Sequence, residues 1–196
     1  MPAAERRITR ADIPSPRQYA EERAARRKAI MEIKRARRIA CGPHATFYFE
    51  NFDTMLQQVL EMLHVEKGGE EQIADELAAY NPLIPQGREF CATLMFEIAD
   101  PVERDRILRG LGGVEDHVWL DIAGERIAAV SERDVERTKA DGKTSSVHFL
   151  HFPLNDAQAS AFKAGAKVMI GIEHPNYGHI ALASEAARAS LKTDLS

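Results

Sequence analysis

Imidazole, thiol and carboxylate groups are what this 196-residue chain offers to chemistry: seven histidines, two cysteines and thirty acidic residues. Such groups hold transition metals or move protons only when several converge. Period-two alternation brings some of them to a common side. Over 44–50, His44, Thr46, Tyr48 and Glu50 point one way while Ala45, Phe47 and Phe49 point the other. Over 115–122, Glu115, His117, Trp119 and Asp121 alternate with Asp116, Val118, Leu120 and Ile122. The expectation is a ligand site on one polar sheet face, built from His44, Tyr48, Glu50, Glu115, His117 and Trp119. His44, His117 and Glu50 are its metal-ligand candidates, with iron or zinc as the ion. A solvated sheet face or a homodimer interface would use the same residues.

The remaining pairings are weaker. Glu61 and His64 have the i, i+3 spacing of ferritin-like di-iron helices, but no second copy of the motif occurs, so a helix-surface pair is expected. His148 and His151, three apart on a strand, face opposite sides and cannot share an ion. Cys41 and His44, or His174 and His179 in the polar stretch 173–179, supply two ligands each, where zinc asks for three or four. Nucleophile elbows, Walker loops and dinucleotide glycine fingerprints are absent, which removes nucleotide hydrolysis and hydride transfer from the leading options.

The elements that must position these residues can be read along the chain. Residues 1–16 form an N-terminal extension, and 17–196 form a single domain. A long basic helix is expected over 17–40, stopped by Gly42-Pro43. The strand at 44–50 is followed by a helix to about 66, capped by Asn51 or Asp53, and by a second helix over 70–80. A strand spans 90–98, with Phe90, Ala92, Leu94, Phe96 and Ile98 facing the core. Asp100-Pro101 opens a short helix over 101–111. A hairpin over 115–130 turns at Ala123-Gly124, and 131–143 reads as a mobile loop. A strand at 144–152, a helix capped by Asn155, a strand at 167–173 and an alanine-rich helix at 184–191 complete the chain. The expected class is α+β: a mostly antiparallel sheet with helices packed on one face, a two-layer sandwich.

Hydrophobic residues at 44% and charged residues at 29% are ordinary for a folded protein, so no disulfide staple is needed and both cysteines are expected as reduced thiols. No apolar run approaches the length of a membrane span, and the first residues lack the apolar core of a secretory signal, so the expected location is cytoplasmic. Residues 1–40 carry a net +7 and the rest −11. An acidic body argues against nucleic acid and for a basic helix lying on that body.

Several phrases occur together: Arg37-Arg38 before Gly42-Pro43-His44, Phe49-Glu50-Asn51, Asp53-Thr54, Glu61-Met62-Leu63, 80–85 (YNPLIP), 92–94 (ATL) and 115–119 (EDHVW). In that order they resemble a bacterial family catalogued as domain of unknown function 3501, across nearly the whole chain. The resemblance implies a redox or oxidative-stress setting, since members tend to be encoded near rubrerythrin-like and iron–sulfur proteins. Two expectations follow. The first is an accessory protein docking onto a rubrerythrin-like or iron–sulfur partner, or onto a second copy, through its aromatic sheet face or basic helix. The second is a metal- or cofactor-binding redox protein with its His/Glu site on that face.

Overall fold

The computed structural model describes residues 6–132, 138 and 142–196. The expected loop at 131–143 falls mostly outside them, as do the first five residues of the extension.

A long helix, α1, runs from Pro16 to Ala36, opened by Ser15, whose hydroxyl accepts from the Gln18 amide. It ends earlier than the helical residue types suggest. Arg38–Cys41 instead forms strand β1, because Ile39 and Cys41 alternate into the core. Gly42, with φ of 77°, turns the chain back into β2, Ala45–Phe49. Asn51 caps α2, Phe52–Glu66, by accepting from the Thr54 amide. Helix α3 spans Gly69–Tyr80 and strand β3 spans Glu89–Phe96. Asp100 and Pro101 open α4, Pro101–Arg109, as the sequence predicts.

The hairpin of β4, Val118–Ile122, and β5, Glu125–Ala128, turns at Ala123 and Gly124. Both have positive φ, 58° and 89°, as a two-residue hairpin turn requires. Short β6, Val130–Ser131, leads by way of the undescribed region to β7, Val147–Pro153. Asn155-capped α5, Asp156–Lys163, is followed by β8, Val168–His174. Strand β9, Tyr177–Leu182, begins inside the polar stretch 173–179, whose residue types predict a loop. Helix α6, Glu185–Leu191, is capped by Ser184.

The α+β class and the antiparallel pairing stand, but the strands divide into two sheets. One has the order β1-β2-β3-β7-β6, the other β5-β4-β8-β9. Their inner faces meet: Phe47, Phe49, Phe90, Leu94 and Phe152 of the first share one core with Leu120, Ile122, Val168, Ile170 and Ile172 of the second. The outer face of the five-stranded sheet carries a second core, where Phe149 packs with Met55, Val59 and Leu60 of α2, Ile73 of α3, and Ile8 and Ile13 of the N-terminal segment. That sheet therefore lies between the four-stranded sheet on one side and helices on the other. Alternation fixes which side chains share a face; it does not say which strands share a sheet.

The end of α1 is locked to the C-terminal residues by charge. Arg37 and Asp194, with side chains 1% and 0% exposed, form a buried ion pair. The Arg37 guanidinium also donates to the carbonyls of Phe49 and Glu50, each at 2.9 Å. Burial pushes the Asp194 carboxyl up, and Arg37 only partly offsets it. Removing one partner strands a buried charge, so Asp194→Ala is expected to cost about 3–5 kcal/mol by urea denaturation. A double change to Arg37→Met and Asp194→Leu removes the stranded charge and should recover part of that loss, the rest reflecting the bonds lost to the Phe49 and Glu50 carbonyls. If the double variant is no more stable than Asp194→Ala, the lock does not depend on charge pairing.

Candidate functional site

Strand pairing, rather than alternation alone, decides which reactive groups meet. Cys91 on β3 lies directly opposite His151 on β7, and Glu89 lies two residues before Cys91 on the same face. The His151 Nδ1 atom is 3.3 Å from Cys91 Sγ and 3.1 Å from Glu89 Oε2. Val130 of β6 flanks His151 on its other side, and Glu132, just beyond β6, brings its Oε1 to 3.6 Å from His151 Nε2. Cys91 is fully buried, whereas the side chains of Glu89, His151 and Glu132 are about one-fifth exposed, so the group opens to solvent on one side.

The electrostatics follow from this crowding of acids. Hydrogen bonding to Glu89 raises the His151 pKa, against the opposing effect of burial, and Glu132 adds to the rise. Burial pushes the Cys91 thiol well up, and Glu89, Asp194, Glu50 and Glu132 push it further. With no cation present, Cys91 is a neutral thiol rather than a nucleophile.

Among the described residues, Glu89, Cys91 and His151 are the ones whose donor atoms cluster as a set of three, all within 4.8 Å of one another. A tetrahedral ion bound at ordinary Zn–N, Zn–O and Zn–S lengths would hold its ligand atoms about 3.3–3.6 Å apart. The two separations from His151 Nδ1, 3.3 Å to Cys91 Sγ and 3.1 Å to Glu89 Oε2, are a few tenths of an ångström shorter than that. Glu132 behind the second ring nitrogen matches the carboxylate that commonly orients a metal-binding histidine.

The six residues expected from the sequence do not form this set. Strand β2 lies in one sheet and β4 in the other, so no common face carries both. His44 stands in the β1–β2 turn, its ring 6.4 Å from that of Tyr177, and Glu50 lies at the far end of β2. Tyr48 donates to Glu97 at 2.8 Å. His117 belongs to a 3₁₀ turn rather than a strand, and its ring meets His174 edge-on at 5.2 Å. Glu115 faces the buried His148, 3.5 Å away in the interior. Trp119 lies flat across Gly171, where any Cβ would collide with its ring, and the Arg126 guanidinium covers it at 4.0 Å. Glu50 does lie beside the observed cluster: its amide donates to the Cys91 carbonyl at 2.8 Å, and its carboxylate accepts from Thr93 at 2.7 Å.

The opposite facing of His148 and His151 holds: His148 is fully buried in the inner core, while His151 is on the outer face. The Cys41 thiol contacts the His179 carbonyl at 3.3 Å, and burial raises its pKa to about 11. The strand expected from Phe90 begins one residue earlier, at Glu89, so Glu89 and Cys91 share a face. The register that puts His151 opposite is not written in either strand alone.

Residues 7–195 match the family described as "Protein of unknown function (DUF3501)". The chain belongs to the DUF3501 family. It is also similar to a crystal structure of a novel protein of unknown function from Burkholderia pseudomallei K96243, at 38% identity and a TM-score of 0.90, covering 96% of this chain and 99% of that one. No curated protein matches. Among the described residues of this DUF3501 member, no helix is long and apolar enough to cross a membrane.

Glu61 and His64, the would-be di-iron pair, serve helix packing. Glu61 accepts from Tyr19 at 2.6 Å and from both arms of Arg23 at 3.0 and 2.8 Å, tying α1 to α2. His64 meets the Tyr19 ring edge-on. Chiefly through Arg23, the Glu61 carboxyl is held down at about 2. A depressed acid stabilises the fold above its unfolded value of 4.5 and loses that contribution as pH falls toward 2. Glu61→Gln should therefore cost about 1–2 kcal/mol at pH 7, toward the lower end because the pair is partly exposed. Urea midpoints should show the deficit shrinking between pH 4.5 and 2; a deficit independent of pH would assign the effect to packing alone.

Proposed function

We propose that this protein binds one divalent transition-metal ion through Glu89, Cys91 and His151, with Glu132 orienting His151. The observation that carries the reading is the donor set itself: sulfur, nitrogen and oxygen on two paired strands, clustered within 4.8 Å, with a carboxylate behind the imidazole. Mixed thiolate and imidazole donors suit zinc and, next, ferrous iron; carboxylate alone would favour magnesium or calcium. Three protein ligands and one solvent-facing side leave a coordination position for water or a small molecule, the arrangement of catalytic rather than purely structural sites. A bound cation would also reverse the acid–base logic at Cys91, stabilising the thiolate that the surrounding carboxylates oppose.

Metal binding is preferred here to the docking role. Tyr48 and Trp119 lie on different sheets, and Trp119 is already covered by Arg126, so the two present no joint aromatic face. On α1, Arg17, Arg23, Arg26 and Arg35 are each engaged by a glutamate.

The test is metal analysis of protein purified without a histidine tag, with zinc and ferrous iron each added back anaerobically and excess removed. About one equivalent is expected in the wild-type chain, with cobalt(II) giving a thiolate charge-transfer band. Cys91→Ser and His151→Ala should lose the band and retain little metal. Glu132→Gln should keep the band but bind about 10- to 100-fold more weakly. Wild-type protein that keeps neither metal and gives no band with cobalt would reduce the cluster to an imidazolium held between two glutamates.

A further inference from the structure

The N-terminal segment and the α2–α3 pair enclose a cleft of about 490 Å³, separate from the Glu89–Cys91–His151 cluster. Its walls are mostly apolar: Ile13 from the segment, Tyr19 from α1, Leu60 and Leu63 from α2, and Ile73 from α3. A cleft of this size and lining is typical of small-molecule sites. The charges at its mouth are unevenly matched. Arg10 is neutralised by Glu70 through two bonds of 2.9 and 2.7 Å, a clasp that fixes the segment to α3. Lys67 is exposed at the rim and has no ion-pair partner among the described residues. It is also the residue that closes α2 in the left-handed conformation, φ 56°, a place where glycine costs less, although two glycines follow it immediately. His64 stands one turn back on the same rim.

An apolar enclosure whose mouth carries, among the described residues, one uncompensated cation is complementary to an apolar body bearing one negative charge. We infer that this cleft binds a small amphipathic carboxylate, its acyl chain against Leu60, Leu63 and Ile73 and its head group at Lys67. Lys67, unpaired among the described residues, suits a monovalent carboxylate better than a phosphate, which would call for further donors.

Calorimetric titration of the full chain with octanoate, decanoate and 1-octanol tests this. Each added methylene that is buried should tighten binding about fourfold, so decanoate should bind roughly 15-fold more tightly than octanoate. Lys67→Glu, at an exposed position that does not endanger folding, should weaken decanoate at least tenfold and leave 1-octanol unchanged. No saturable binding of decanoate at millimolar concentration, equal affinities for the two chain lengths, or an unchanged decanoate affinity in Lys67→Glu would each overturn the assignment.

Discussion

Because helices cover one face of the β1-β2-β3-β7-β6 sheet and the second sheet covers the other, polar side chains on β3 have little access to water and must find partners inside the protein. Cys91 and Thr93 are buried, and Glu89 keeps about one-fifth of its side chain exposed. Thr93 resolves this by donating to Glu50. Glu89 and Cys91 turn to His151, which is shared with Glu132 across the neighbouring strand edge. Two half-buried carboxylates crowded against one imidazole and one buried thiol are costly unless a positive charge compensates them. Protonation of His151 supplies one such charge; a bound divalent ion would supply two and satisfy the sulfur as well. The architecture, more than any single residue, gathers acids, imidazole and thiol at this spot.

The same enclosure explains why Arg37 is so firmly held. It sits where α1 gives way to β1 and bonds the carbonyls that end β2. Its partner Asp194 comes from the far end of the chain, so one guanidinium joins the helical layer, the sheet edge and the C-terminal turn. Glu50, whose carbonyl takes one of those bonds, is also the neighbour of Cys91. The ion-pair lock and the candidate metal centre therefore share a wall.

Local chemistry in the sequence reports local structure well. The helix caps expected at Asn51, Asp100 and Asn155 are all used. The alternation at 44–50 and 90–96 gives the correct phase, with Phe47, Phe49, Phe90, Leu94 and Phe96 buried. What fails is long-range. Arg37 to Ala40 has helical neighbours and reads as helix, yet Ile39 is claimed by the core and the chain extends. The polar alternation at 115–117 is a 3₁₀ turn, so His117 never joins the face of Trp119. The division into two sheets is decided by pairing partners, which leave no mark on an individual strand. For that reason the expected site, spread over β2 and β4, dissolves, while Glu89, Cys91 and His151 meet through a register that could not be read in advance.

X-ray absorption at the metal edge of the purified, zinc-loaded protein looks directly at the proposed centre. The account predicts a first shell with one sulfur at about 2.3 Å and three lighter atoms at about 2.0–2.2 Å, the sulfur contribution vanishing in Cys91→Ser. A shell made only of nitrogen and oxygen, or a sulfur signal that survives loss of Cys91, would contradict it.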